Sequence, residues 1–304
     1  MRSGARWPEP RFRPAGGEVI DRLTGLAWAT AANHADGPLF WEEALAWVAE
    51  MNQQRALGRN DWRMPTRREL RSLASFEHAV PSLPRPHPFV GVEPTWYWSA
   101  TSAAVDHGYA WALELLGGRM FYLEKQRSAL LWPCRGRSEV LPVTGQRGAF
   151  DHTGRAVPLC GSGQDGDGDH GIEWPNPRFR PRGGTVLDRL TELVWLRRAD
   201  AAEELKSWSG ALAAVCAMNQ RGAAGRCDWR LPTIAELDSL VDASQCRPAL
   251  QAGHPFTSVG ESYWSSTTSA YETDWAMVLH LDRGAIGVGP KSSVAFSVWP
   301  VAGR

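Results

Sequence analysis

Three aspartates at alternating positions are the most suggestive metal-ligating residues in the sequence. Asp165, Asp167 and Asp169 stand in the stretch GQDGDGDHG. Carboxylates at positions 1, 3 and 5 open the calcium-binding loop of an EF-hand, which then has glycine at position 6 and glutamate at position 12. This chain has His170 and Asn176 at those two positions. The match to a Ca²⁺ site is therefore weak, and a solvated, flexible linker is the favoured interpretation.

Side chains that could perform catalysis do not recur in a fixed arrangement. His87 and His254 both precede Pro-Phe, but neither has the carboxylate at a fixed spacing that acid–base catalysis would need. The sequence contains no G-x-S-x-G, no H-E-x-x-H and no phosphate-binding glycine loop. It also lacks the C-x-x-C pairs of a zinc ribbon. We therefore predict that the protein is not an enzyme and uses no cofactor beyond the weakly indicated Ca²⁺.

The chain is an internal duplication. The string GRNDWRMPTRREL at Gly58 returns as GRCDWRLPTIAEL at Gly225, an offset of 167. Strings beginning at Trp7 and Trp41 recur with the same offset. This period is far longer than the roughly 20–50 residues of a solenoid unit, and it fits whole domains. We predict a first copy over residues 1–136, a linker over 137–173 and a second copy over 174–304.

The repeated string has the pattern of a scaffold. Thr66 and Glu69 form T-x-x-E, which is the pattern of a helix capping box, and the second copy repeats it. Asp61 and Arg63 flank a tryptophan, as expected at the end of a strand with Trp62 facing inward. No nucleophile or histidine stands beside this string in both copies, so we assign it to the fold and not to an active site.

The periodicity of each copy predicts an α+β domain. Trp41, Leu45 and Val48 share one face of a first helix, and the capped string begins a second. Short strands are predicted before these helices. Antiparallel strands follow them, with a hairpin turn at Gly117-Gly118.

Sixteen tryptophans are unusual for 304 residues. Fourteen align between the copies, and because large aromatic side chains bury much area, we predict that they belong to the two cores. The aligned pairs are 7/174, 28/195, 41/208, 62/229, 98/264, 111/275 and 132/299. Trp47 and Trp96 are unmatched and are therefore better placed for a specific role.

Composition limits the class of partner. Lys and Arg together number 33 and Asp and Glu number 33, so the net charge is zero. A nucleic-acid binder usually carries a basic excess, so no nucleic-acid partner is predicted. No apolar run reaches the length of a membrane span, and no secretory leader follows Met1. The chain has five cysteines. The sequence is equally consistent with free thiols and with a disulfide that joins two of Cys216, Cys227 and Cys246.

Several motifs resemble the Lcl C-terminal domain family, named after the C-terminal domain of a bacterial collagen-like adhesin. They are RF…GG.V.D..TGL.W, W..AL, MN, G..DWR.PT..EL..L, YWSST and a closing WPV. The first copy departs from them with YWSAT and WPCRG. The resemblance implies two tandem C-type-lectin-like domains, each with two helices and short antiparallel sheets. It further implies a secreted, periplasmic or surface-attached bacterial protein that binds ligands or glycans in adhesion.

The late strands are where lectin-like folds generally meet ligand, and aromatic and polar residues cluster there in this sequence. The predicted ligand-binding residues are Trp96, Tyr109, Phe121, Tyr122 and Lys125 in the first copy, and Tyr271, Asp274, His280 and Lys291 in the second. Ring faces and polar groups together suit a sugar. For the two lysines, a stem lying over a tryptophan with its head in water is the alternative.

The predicted function is therefore that of a non-catalytic adhesion module for carbohydrate or a cell-surface polymer. The alternative is a structural or protein–protein interaction module in a bacterial envelope or surface assembly.

Overall fold

The computed structural model describes residues 7–303. They divide into two compact units, one ending at Glu173 and the other beginning at Trp174. Each unit holds one copy of the repeat. The described residues form four α-helices, two in each copy, together with antiparallel sheets. The predicted mixture of few helices and short antiparallel sheets in two tandem repeats is confirmed.

In the first copy, the earliest strands pair with the last one. The strands β1 (Phe12–Ala15), β2 (Glu18–Asp21), β3 (Ala27–Ala29) and β9 (Cys134–Arg135) form an antiparallel sheet in that order. The strands β5 (Trp96–Ser102), β6 (Tyr109–Glu114) and β7 (Arg119–Glu124) form an antiparallel meander. A short pair joins β4 (Leu39–Phe40) to β8 (Ser128–Ala129). Each copy is therefore closed by pairing its two ends.

The second copy repeats this plan. Its first sheet has the order β12 (Phe179–Arg182), β13 (Thr185–Asp188), β14 (Val194–Leu196) and β18 (Val301–Ala302). Its meander consists of β15 (Ser262–Thr268), β16 (Trp275–His280) and β17 (Ala285–Pro290). The same sequence pattern therefore produces the same topology twice.

The helices begin where the sequence predicts. In the first copy they are α1 (Trp41–Gln53) and α2 (Arg67–Ser72), and in the second α3 (Trp208–Gln220) and α4 (Ile234–Ser239). The short helices α2 and α4 both start with the predicted capping box. Short 3₁₀ turns at Ala56–Gly58 and Ala223–Gly225 follow the longer helices.

Most of the aligned tryptophans form the two cores. Ten of them are buried, namely Trp28, Trp41, Trp62, Trp98, Trp111 and Trp132 in the first copy and Trp195, Trp229, Trp264 and Trp299 in the second. Trp174, Trp208 and Trp275 are partly buried, and Trp7 is 43% exposed and packs on Arg11. All five cysteines are free thiols, so the suggested disulfide is not formed.

The alignment of Trp111 with Trp275 is wrong. Trp98 pairs with Ala112 across the first meander, and Trp264 pairs with Val278 across the second. The structural offset on these strands is therefore 166, which makes Met277 the counterpart of Trp111. Trp275 instead occupies the place of Tyr109. The sequence alignment paired these two residues because each copy has a tryptophan near this point.

The segment between the copies packs against the first copy. It contains a short hairpin of β10 (Ala149–Phe150) and β11 (Ala156–Val157) and a 3₁₀ turn at Asp165–Asp167. Gln146 and Asp165 in this segment are buried against the first copy. The segment is therefore ordered, in contrast to the solvated linker favoured by its glycine-rich sequence. The predicted domain boundaries themselves stay a prediction.

A buried ion pair fixes the first sheet of each copy, and its loss should destabilise that copy. Asp188 accepts two hydrogen bonds from Arg178, of 3.0 and 2.8 Å, and both side chains are fully buried. The substitution Asp188→Ala would leave Arg178 buried without its carboxylate. We expect the free energy of unfolding to fall by about 3–5 kcal/mol. Urea unfolding monitored by pulsed hydrogen exchange would measure this for peptides of the second copy.

The matched control is Asp228→Ala. Asp228 forms an exposed ion pair with Arg226, and such pairs contribute about 0–1 kcal/mol. Equal losses in the two variants would contradict the importance assigned to the buried pair.

Candidate functional site

The three predicted metal-ligating aspartates have separate partners. Asp165 accepts hydrogen bonds from the hydroxyls of Thr101 and Thr144, at 2.5 and 2.7 Å. Asp167 accepts from main-chain N–H groups of its own loop, and the carboxylate of Asp169 pairs with a guanidinium group. Over residues 7–303, no group of three or more His, Cys, Asp or Glu side chains is placed to hold a metal ion. The three carboxylates therefore act as hydrogen-bond acceptors that order their segment.

The two predicted lysines are hydrogen-bonded inside their domains. Lys125 is 1% exposed, and its ammonium lies 4.0 Å from the centre of the Trp41 ring. The ammonium donates to the Ser102 hydroxyl and to main-chain carbonyls of the segment between the copies. Burial lowers the pKa of Lys125 to about 7. The alternative prediction placed this ammonium in water, but it is buried. It is therefore not available to an external ligand.

Lys291 occupies the same place in the second copy but is less enclosed. Its ammonium lies 4.6 Å from the centre of the Trp208 ring and donates to the Thr268 hydroxyl and the Thr273 carbonyl. Tyr271 is 53% exposed in the adjacent β15–β16 connection, together with the exposed Asp274. The structure therefore brings Tyr271, Asp274 and Lys291 to one end of the meander.

His280 lies at the other end of that meander. Its Nδ1 is 2.9 Å from the Ser262 hydroxyl, and its ring meets Phe296 edge-on. Burial lowers the pKa of His280. The structure thus separates His280 from the three other residues predicted for the second copy.

The predicted aromatic residues of the first copy fall into two groups. The ring of Tyr122 contacts both Tyr109 and Phe121, and the Tyr109 hydroxyl donates to Glu124. Trp96 instead packs against the hydrophobic core. Ligand binding by these residues stays a prediction of the sequence.

A cleft that the sequence did not indicate lies on the second copy. It has a volume of about 560 Å³ and opens to solvent between the end of α3 and the chain that follows β14. Leu196, Ala201, Met218 and Ala223 form an apolar floor. The rim carries Arg197, Arg198, Arg221 and Glu203.

The backbone around the cleft is well fixed. The main chain of Arg197 donates to Gly184 and accepts from Thr257, and Arg198 forms a β-bridge with Thr257. Arg221 directly follows the last residue of α3. These main-chain contacts hold the three arginines on one rim without using their guanidinium groups.

The electrostatics of the cleft favour an anion. Three arginines and one acidic residue, Glu203, line the cleft, and Glu203 pairs with Arg198 at 3.1 Å. Arg197 makes one long hydrogen bond, to a main-chain carbonyl. Among the described residues, the side chain of Arg221 has no hydrogen-bond or ion-pair partner. Most donors of the rim are therefore available to a ligand.

The first copy has the same backbone at this place but fills it with larger side chains. Ala224 and its counterpart Leu57 both adopt left-handed φ values, of 51° and 55°. Leu57 covers Gly17, where an added Cβ would come within 3.1 Å of its Cδ2. The positions of Ala201 and Ala214 hold His34 and Trp47, which are joined by a hydrogen bond of 3.3 Å.

The charges of the rim also differ between the copies. The arginines at 197, 198 and 221 replace Thr30, Ala31 and Gln54 of the first copy. The difference between the two copies therefore lies in side chains alone. An alignment of the two copies shows this difference in the sequence. Three neutral residues of the first copy correspond to arginines in the second, and three large residues correspond to alanines.

The family assignment agrees with this duplicated architecture. The model of the Lcl C-terminal domain family matches residues 17–135 and again residues 184–302. The chain belongs to the Lcl C-terminal domain family. The matched ranges begin in the turn between the first two strands and end in the last strand of each copy, so each family match covers one copy except its first strand. No curated protein matches this Lcl-family chain.

Over residues 7–303, none of the helices is both long enough and apolar enough to cross a bilayer.

Burial of Asp165 should make the stability of the first unit depend on pH. Burial raises the pKa of Asp165 to about 6, although Thr101 and Thr144 donate to it. Because the folded pKa lies above the unfolded value of about 3.9, this group contributes stability that is lost as pH rises through about 6. Nearby His170, whose pKa burial lowers to about 4, gives the opposite slope in the same window.

Comparison with Asp165→Asn isolates the aspartate, because the amide keeps hydrogen-bonding capacity and His170 is present in both proteins. Between pH 4 and 7 we expect the stability of the variant, relative to the parent, to increase by on the order of 2–3 kcal/mol. Urea unfolding at each pH would measure it. Parallel profiles for the two proteins would show that Asp165 titrates normally.

Proposed function

We propose that this protein is a non-catalytic adhesion module that binds an acidic carbohydrate or another anionic surface polymer in the cleft of its second copy. The observation that carries the proposal is the arginine rim over an apolar floor, formed by Arg197, Arg198 and Arg221. The first copy has the same backbone without these features, which points to a role for the cleft beyond folding.

The chemistry of the rim specifies the class of ligand. A guanidinium group is planar and binds the two oxygens of a carboxylate, sulfate or phosphate in parallel. Among the described residues that line the cleft there is no aromatic ring, so stacking on a sugar face is not the main source of affinity. Recognition instead depends on anionic substituents, while the floor of Leu196, Met218 and alanines accommodates an apolar face of the polymer.

The geometry of the cleft suits a polymer. It is open to solvent, so an extended chain can lie along it beside the arginines. A repeating polymer gains from such a site because each anionic group adds one contact of the same kind. The proposal includes the C-type-lectin-like character and the extracellular, periplasmic or surface location that the family resemblance implies.

The first test is binding to an array of neutral and acidic oligosaccharides that carry uronic acid, sulfate or phosphate groups. We expect binding to the acidic members only, weakened by salt because exposed charges are screened. Arg197→Ala and Arg221→Ala should each reduce affinity about tenfold or more, as expected for hydrogen bonds to charged groups. The matched control is Arg180→Ala, which removes an exposed charge of the same copy away from the cleft.

A second variant tests shape separately from charge. The triple substitution Ala201→His, Ala214→Trp and Ala224→Leu introduces, at two residues that line the cleft and at Ala214 on α3, the side chains that the first copy accommodates on the same backbone. All three arginines remain, yet we expect binding to be lost because the floor is filled. Retained binding in this variant, equal weakening by Arg180→Ala, or no binding by the folded parent protein would contradict the proposal.

A further inference from the structure

One face of the first copy is covered by a peptide segment of its own chain. The segment 142–169 runs beside the end of β5 and over Lys125. It buries Thr101, Ser102 and Lys125 almost completely. The contacts are specific hydrogen bonds, so they define the chemistry that this face recognises.

The carboxamide of Gln146 acts like a neighbouring strand. Its Oε1 accepts from the main-chain N–H of Ser102, and its Nε2 donates to the carbonyl of the same residue, both at 2.8 Å. These two main-chain groups point away from β6, because Ser102 faces Ala110 in a pair without mutual hydrogen bonds. Gln146 thus satisfies the outward-facing main-chain groups of Ser102 at the end of β5.

Two further contacts complete the face. Asp165 accepts from the hydroxyl of Thr101, whose oxygen in turn accepts from the N–H of Arg67 at the start of α2. The ammonium of Lys125 donates to the main-chain carbonyl of Phe150 at 2.8 Å. The face therefore recognises a carboxamide, a carboxylate and a main-chain carbonyl.

The second copy retains the groups that make these contacts. Thr267 accepts from the N–H of Ile234 at the start of α4, as Thr101 does from Arg67. Thr268 faces Ala276 in the same kind of pair as Ser102 and Ala110, so its main-chain N–H and carbonyl also point outward. Lys291 binds the Thr268 hydroxyl as Lys125 binds Ser102.

Among residues 7–303, no segment covers this second face as residues 142–169 cover the first. Thr267, Thr268 and Lys291 are each partly exposed, whereas their counterparts are buried. Over residues 174–303, the hydroxyl of Thr267 donates to no protein group, and two of the three ammonium donors of Lys291 are used. The second copy therefore presents the same set of donors and acceptors without the segment that satisfies them in the first.

We propose that Thr267, Thr268 and Lys291 form a docking site for a polypeptide segment of another chain that has the chemistry of residues 142–169. The occupant supplies a carboxamide to the main chain of Thr268, a carboxylate to the Thr267 hydroxyl and a carbonyl to Lys291. Hydrogen bonding of an extended segment to free main-chain groups at a strand edge is an established mode of peptide recognition, and β15 offers such groups at Thr268. The site is separate from the arginine cleft and does not depend on polymer binding.

The test uses the full chain and a fluorescently labelled peptide of residues 137–173, monitored by fluorescence anisotropy. We expect saturable binding of one peptide per chain. In the peptide, Gln146→Ala should weaken binding about tenfold because a buried N–H and carbonyl lose their partner. The control peptide carries Arg155→Ala, which changes an exposed residue of the segment and should bind like the parent.

Substitutions in the protein locate the peptide. Lys291→Met keeps the stem over Trp208 but removes the ammonium, and we expect it to weaken peptide binding severalfold while leaving binding to acidic oligosaccharides unchanged. Arg221→Ala should have the opposite pattern. Displacement of the chain's own segment from the first copy would instead be insensitive to Lys291→Met, and this outcome would overturn the proposal. So would the absence of binding, or equal binding of the Gln146→Ala peptide.

Discussion

Both copies depend on one partly buried, charge-assisted contact between an arginine and the helix-capping glutamate. Arg63 donates two hydrogen bonds to Glu69, of 2.7 and 2.6 Å, while Glu69 also accepts from the N–H of Thr66. Burial alone would raise the pKa of Glu69, but Arg63 outweighs it and the pKa is lowered. The carboxylate is therefore ionised where it starts the second helix, and the guanidinium is held in place by it.

This contact also closes each domain. The main chain of Arg63 forms a β-bridge with Cys134, and its guanidinium donates to the carbonyl of Gly136. Arg230 does the same in the second copy, bridging Val301 and binding Glu236. One short string thus links the second helix to the last strand, which itself pairs with the early strands. The duplicated string has this structural role because its arginine and its glutamate bind each other.

A closed scaffold of this kind leaves the surface free to differ. In the second copy, small residues and arginines create a cleft where His34, Trp47 and Leu57 stand in the first. In the first copy, the following segment covers a sheet edge that remains open in the second. Neither difference disturbs the backbone, because the core tryptophans and the arginine–glutamate contact are present in both copies. Duplication therefore gives two domains of one fold with different surfaces to offer to ligands.

The sequence by itself determined the duplication, the element order, the two capped helices and most of the core. These features follow from local chemistry and periodicity: T-x-x-E at a helix start, tryptophans spaced for one helix face, and paired glycines at a hairpin turn. The repeat strengthened each inference, because the same sequence pattern occurs in both copies and must fold in the same way in each. The pairing of Trp111 with Trp275 failed because sequence similarity does not report strand register.

Only the tertiary structure decided the surfaces. Lys125 looks like an exposed ligand-binding residue in the sequence, yet it is buried because the distant segment at Phe150 folds over it. The arginines at 197, 198 and 221 form one rim only because the end of α3 meets the chain after β14. Glycine-rich composition suggested a solvated linker, but Gln146 and Asp165 found partners on strand β5. Such contacts join residues far apart in sequence, so no local pattern encodes them, and they exist only once the chain has closed.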